Sequence, residues 1–190
     1  MSLRFSFRCL LLGLALSMAG AAQADSWAPP SLKVVTSSNG QALVRVTPGS
    51  LRGGKQPGVE LYDYDAKNAQ YALKTRFPLS NRIAPVEVLL TGQGELIALD
   101  EWAQMGQGMV LAVYAADGRP RLQFTLDELL GAEAAAKAPA SVSSTWWRCR
   151  KPRLSQDDSA LLINTYDNGE LHVELSTGKV LYEAGNGRCT

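Results

Sequence analysis

Pro85-Val86-Glu87-Val88-Leu89-Leu90, Thr91-Gly92-Gln93-Gly94 and Glu95-Leu96-Ile97-Ala98-Leu99-Asp100 succeed one another as apolar run, polar turn and apolar run. After a loop come Met109-Val110-Leu111-Ala112-Val113-Tyr114, Ala115-Ala116-Asp117-Gly118 and Arg121-Leu122-Gln123-Phe124. Short runs rich in aliphatic and β-branched residues, bounded by Gly, Asn and Asp, read as strands joined by tight turns. The stretch therefore predicts an antiparallel meander of four strands, and the same grammar appears on either side of it.

Upstream, Leu32-Lys33-Val34-Val35-Thr36 and Ala42-Leu43-Val44-Arg45-Val46 flank Ser37-Ser38-Asn39-Gly40. Asn-Gly between apolar runs is a strong hairpin signal, because both residues accept the positive φ such turns require. Val59-Glu60-Leu61-Tyr62-Asp63-Tyr64 alternates with period two, so one face is expected to be buried. Asp65-Ala66-Lys67-Asn68 then turns into Tyr71-Ala72-Leu73-Lys74-Thr75-Arg76-Phe77. Downstream, a third unit reads Thr145-Trp146-Trp147-Arg148-Cys149-Arg150, Ala160-Leu161-Leu162-Ile163-Asn164-Thr165, Leu171-His172-Val173-Glu174-Leu175 and Val180-Leu181-Tyr182-Glu183, with Gly169 and Gly178 in its turns. The expected fold is all-β: three four-stranded meander units. One short helix, Leu126–Leu130, follows the second unit, because Thr125-Leu126-Asp127-Glu128 has capping-box form and Gly131 supplies a stop. Ala132-Glu133-Ala134-Ala135-Ala136-Lys137 either prolongs that helix or forms a stiff spacer, and Pro139 ends any helix.

The first two dozen residues read as an export signal. Arg4 and Arg8 precede the apolar Leu10–Leu16, and Ala22-Gln23-Ala24 has the small-x-small form of a cleavage site. Cleavage there leaves residues 25–190 as one domain, periplasmic or secreted. It removes two arginines and no acid, so the net charge of +1 becomes −1. That balance argues against nucleic acid as a bulk electrostatic partner. No later segment is long and apolar enough to span a bilayer. Two cysteines remain, Cys149 and Cys189. In an oxidising compartment they are expected to pair, closing a loop of ~40 residues that the chain-entropy view values at roughly 4 kcal/mol.

The turn-and-strand segments Leu111-Ala112-Val113-Tyr114-Ala115-Ala116-Asp117-Gly118-Arg119 and Glu174-Leu175-Ser176-Thr177-Gly178-Lys179-Val180 resemble blades of the broad β-propeller repeat superfamily. The Ala84-Pro85-Val86, Leu99-Asp100-Glu101-Trp102 and Phe124–Leu130 segments are similar to those of a group of small exported bacterial proteins. The likeness covers residues 31–184 and transfers no functional residue. Three units are fewer than the four to eight blades that ordinarily close a ring. A compact stack, self-association and pairing with a partner all remain open at this point.

The chemistry-bearing residues are few. His172 is the single histidine, which excludes a histidine metal cage; its place between Leu171 and Val173 puts it on a solvated strand face. Asp100 and Glu101, beside Trp102, are the best pair of carboxylates for acid–base work, the competing reading being a turn-capping Asp next to a solvated Glu. Asp63, Asp65 and Asn68 have the composition of a calcium loop without its glycine or distal glutamate. Gly49–Gln56 approaches a phosphate-binding loop, but Gln56 stands where the motif needs a hydroxyl and Pro57 follows where a helix must begin; it reads as a flexible loop. The sharpest anomaly is Trp146-Trp147-Arg148-Cys149-Arg150-Lys151-Pro152-Arg153, with four cations and two indoles in eight residues. Tryptophan and arginine anchor interfaces, so Trp146, Trp147, Arg148, Arg150, Lys151 and Arg153, with Asp100 and Trp102 at a rim, form the candidate binding set. The competing reading buries one of the two indoles. No metal or cofactor is expected. The composite expectation is a non-enzymatic exported binding protein whose partner is a protein or a second copy. The alternatives are an inhibitor of a secreted cell-wall hydrolase and a carboxylate-dependent hydrolase of envelope glycans.

Overall fold

The computed structural model describes residues 27–185 and residue 189. The expected export signal, residues 1–24, lies outside the described residues. The chain forms three antiparallel sheets of four strands, each a simple meander. Sheet 1 comprises β1 (Lys33–Thr36), β2 (Ala42–Thr47), β3 (Gly58–Asp65) and β4 (Gln70–Pro78). Sheet 2 comprises β5 (Pro85–Leu90), β6 (Leu96–Glu101), β7 (Met109–Tyr114) and β8 (Pro120–Thr125). Sheet 3 comprises β9 (Arg153–Leu154), β10 (Ala160–Asn164), β11 (Glu170–Glu174) and β12 (Val180–Glu183). Two short helices, α1 (Leu126–Leu130) and α2 (Ala132–Lys137), join sheets 2 and 3. The Glu128 carboxylate accepts from the Thr125 amide at 2.7 Å, as a capping box requires. Gly131, at φ +78°, separates the helices, so the alanine-rich segment is a second helix and not a continuation.

The sheets stack in chain order with sheet 2 in the middle. One core cluster joins Val44, Val59 and Leu61 of sheet 1 to Leu96, Ala98 and Tyr114 of sheet 2. The other joins Ile97, Leu99, Leu111 and Val113 of sheet 2 to Leu161, Ile163, Leu171 and Val173 of sheet 3, with Leu126 and Leu129 of α1 and the Trp147 indole. The two-sided burial explains why β6 and β7 read as near-continuous apolar runs, whereas β3 alternates. The first strands β1, β5 and β9 converge on a shared groove of about 930 Å³. Their turn tips meet there: Asn39 donates to the Gly92 carbonyl at 3.4 Å, and the Gly92 amide donates to Asp158 at 2.6 Å.

The junctions between sheets follow one rule. The last residue of each third hairpin turn is left-handed and presses on the outer strand of the preceding sheet. Gly118, at φ +90°, faces Phe77 of β4; Gly178, at φ +75°, faces Leu122 and Phe124 of β8. Among the described residues no sheet precedes sheet 1, and the same place holds Ala69 at φ +50°, exposed. The two end faces differ from the internal ones in the same sense. On the face turned toward the next sheet, β3 carries Val59 and Leu61, and β7 carries Leu111 and Val113, all buried. The corresponding face of β11 carries Glu170, His172 and Glu174. On the opposite side, the outer face of sheet 1 carries Arg45, Glu60 and Arg76, joined by ion pairs of 2.8 and 3.0 Å. Polar outer faces are what end repeats of a stacked array need. Neither core cluster contains residues of both sheet 1 and sheet 3.

The third unit departs from expectation at its start. Residues 145–150 form isolated bridges, Ala140 to Thr145 and Arg148 to Thr165, and not a strand; β9 is the two residues Arg153–Leu154. The reason is that Trp147 and Arg148 both turn inward to the same carboxylate. Neighbours in a strand must point to opposite faces, so that pair of contacts excludes extended pairing there. The Cys149–Cys189 disulfide is present, with Cα atoms 5.4 Å apart, and ties this segment to the chain beyond β12.

Candidate functional site

The eight residues of the candidate set separate into a buried anchor and an open cleft. The anchor is Asp100. Its side chain is buried at the end of β6, with φ +58°, a left-handed geometry that aspartate tolerates better than most side chains. One oxygen accepts from the Trp147 indole at 2.8 Å and from the Gly106 amide at 3.0 Å; the other accepts from Arg148 Nε at 2.8 Å. Arg148 is itself only 8 % exposed. A buried ion pair of this kind holds position because removing either partner strands a charge in a dry interior. Trp147 is completely buried. Asp100 and Trp147 are therefore core elements that fasten the start of the third unit onto sheet 2, and neither presents a surface to a ligand.

Glu101 has similar employment. It accepts from the amides of Arg82, Ile83 and Ala84 at 2.6, 2.9 and 3.2 Å, shaping the loop that leads into β5. The carboxylates of Asp100 and Glu101 thus do not converge on a common reactive point. Asp65 accepts from the amides of Lys67 and Asn68 and from the Asn68 side chain, an Asx-type turn; these bonds hold its carboxyl below the ordinary range, the Asn68 side-chain bond most of all. In the Gly49–Gln56 loop, Ser50 donates to the Lys55 carbonyl and the chain then enters β3. His172 Nε2 lies 3.0 Å from Glu170, whose other oxygen meets Arg153 at 2.7 Å. Arg153 therefore belongs to the outer face of sheet 3, apart from the other cations.

The open part is a cleft of about 580 Å³ between β5 and residues 146–151. Trp146, 43 % exposed, forms one wall. Trp27 lies parallel to it, with ring centroids 6.4 Å apart and planes within 1° of each other. The chain after Trp27 crosses sheet 2, where Trp102 donates from its indole to the Ala28 carbonyl at 2.9 Å. Trp102 thus holds the strap that places Trp27 and does not itself line the cleft. Arg148 lies along the cleft with one N–H given to Asp100 and another to the Arg150 carbonyl at 3.3 Å. Arg150 and Lys151 are exposed at its rim, and Glu87 of β5 faces them. Glu87 and Lys151 also border the groove shared by the three first strands, so the two depressions adjoin.

Sequence reasoning identified Trp146, Arg148, Arg150 and Lys151, which the structure brings together, and missed Trp27, Glu87 and Met105. A tryptophan two residues before Pro29-Pro30, just after the expected cleavage point, was the available signal for Trp27; nothing local marks Glu87. No protein-family profile matches this chain, and no curated protein is significantly similar to it.

Proposed function

We propose that the chain is an exported, non-enzymatic binding module of the bacterial periplasm, acting through the cleft beside Trp146. We read its three sheets as blades of a propeller-like array that ends instead of closing. One observation carries the functional reading: the exposed indole of Trp146 shares one concave site with Arg148, Arg150 and Lys151. A flat apolar wall with charged groups beside it suits recognition of an amphipathic ligand. The carboxylate chemistry that turnover would need is engaged elsewhere, since Asp100 is buried under three donors and Glu101 holds a loop.

The test is retention of envelope material by immobilised residues 25–190, compared with the Arg150→Glu, Lys151→Glu chain. Both positions are exposed, so the exchange leaves the core intact. The reading expects an envelope component held by the first and lost by the second. Equal retention by both, or none by either, refutes it.

A further inference from the structure

We infer that the cleft beside Trp146 takes an anionic sugar: a pyranose ring that carries a carboxylate. This rests on the reading of the cleft as a binding site and names the ligand chemistry that fits it. A pyranose has an apolar C–H face and an equator of hydroxyls. The C–H face matches an indole face, whose π-cloud is electron-rich. Trp146, 43 % exposed, offers such a face, and the parallel Trp27 stacked on it adds a second indole to the lining.

The charged groups specify the rest. Arg148, Arg150 and Lys151 outnumber Glu87 and the Asp100 that Arg148 already engages, three cations to two carboxylates, so the rim favours an anion. Arg148 is the fixed member. Asp100 and the Arg150 carbonyl engage two of its N–H groups, and a guanidinium has five, in a fork that matches a carboxylate. Glu87 is the discriminating member, with no ion-pair partner among the described residues. A carboxylate accepts hydrogen bonds and repels anions. A plain aromatic acid or inorganic phosphate would meet the cations against that repulsion with few or no hydroxyls to offset it, whereas a sugar acid has several hydroxyls to donate to Glu87 while its own carboxylate faces the cations. The volume lies inside the roughly 300–1,000 Å³ typical of small-ligand sites. Uronic acids of envelope polysaccharides and the lactyl-bearing amino sugar of the cell wall share this chemistry.

The experiment is titration of residues 25–190, followed by calorimetry and tryptophan fluorescence, with galacturonic acid, N-acetylmuramic acid, glucose, benzoate and inorganic phosphate. At least one sugar acid should bind, with glucose, benzoate and phosphate weaker by roughly tenfold or more, the scale of one charge-assisted hydrogen bond. Arg150→Glu with Lys151→Glu should weaken the sugar acid at least as much. Glu87→Gln should weaken the sugar acid while leaving benzoate unchanged or tighter. Preference between the two sugar acids assigns the source, polyuronate or cell wall. Benzoate or phosphate binding as well as the sugar acids, sugar-acid binding indifferent to the charge reversal, or no sugar-acid binding at all overturns the inference. If neither sugar acid binds yet the charge-reversed chain still loses an envelope component, the ligand class falls and the cleft reading stands. If that component is absent as well, both fall.

Discussion

Replacing Gly118 by alanine tests how the sheets are joined. A Cβ at Gly118 would lie 2.5 Å from Phe77 Cγ and 2.6 Å from Phe77 Cδ1, where ordinary contact begins near 3.4 Å. Phe77 is packed at the edge of the core between sheets 1 and 2, so its ring has little room to withdraw. Two costs combine. A non-glycine residue in left-handed geometry loses roughly 1–2 kcal/mol. Forcing an extra carbon into a packed junction adds about 1–3 kcal/mol. Gly40→Ala is the control: φ is +68° and nothing lies within 4 Å, so only the backbone cost applies. Urea unfolding is the assay. With a slope of about 2 kcal/mol per molar, an excess loss of about 2 kcal/mol in Gly118→Ala moves the midpoint by about 1 M beyond the control. Phe77→Leu should recover part of the excess in the double variant, giving a non-additive cycle. Equal losses at positions 118 and 40, or strict additivity with Phe77→Leu, would refute the glycine-on-ring junction.

Other expectations follow from contacts already described. Asp100→Asn leaves the Arg148 guanidinium buried without its counter-charge and should cost about 3–5 kcal/mol, with partial recovery on adding Arg148→Met; thermal denaturation decides, and a variant as stable as the parent would contradict the anchoring role. Glu60 is held down to about 2 by its bonds to Arg76, Tyr62 and Arg45. A lowered folded-state value means its contribution is complete above the ordinary value of 4.5 and fades as pH falls through about 2. The stability gap between the parent and Glu60→Gln should therefore narrow between pH 5 and 2, as read from urea midpoints; a gap independent of pH would argue against it. Substituting both Cys149 and Cys189 by serine should lower stability by about 2–5 kcal/mol, in line with loss of a native bridge, and an unchanged urea midpoint would exclude the tethering role.

The strands were legible because their causes are local. Apolar or alternating runs of four to nine residues between Asn, Asp and Gly turns identify β1–β8 and β10–β12 with little help from elsewhere. The contacts that define the site were not legible, because they join distant parts of the chain. Trp147 reaches Asp100 across 47 residues, and Trp102 reaches Ala28 across 74. Trp146 and Trp147 look interchangeable in the sequence. Their fates diverge because only Trp147 lies opposite an acceptor already buried at the end of β6. Glu101 reads as a solvated partner for Asp100, and its role appears only when the Arg82–Ala84 amides fold around it. The first segment of the third unit, residues 145–150, departs from its sequence for the same reason: its six residues have strand composition, and the buried ion pair overrides that preference.

The contrast between Gly118, Gly178 and Ala69 also bears on how such a chain can change in length. A closed ring fixes its number of members by circumference, so adding one strains every joint. Here both joints repeat a glycine on one side and a bulky apolar side chain on the other, while charged outer faces finish the described series at both ends. A duplicate of the middle unit spliced between sheets 2 and 3 would bring its own glycine to Phe124 and present its own phenylalanine to Gly178. The architecture is thus open to growth and loss by whole modules, and its size is a matter of inheritance more than of geometry.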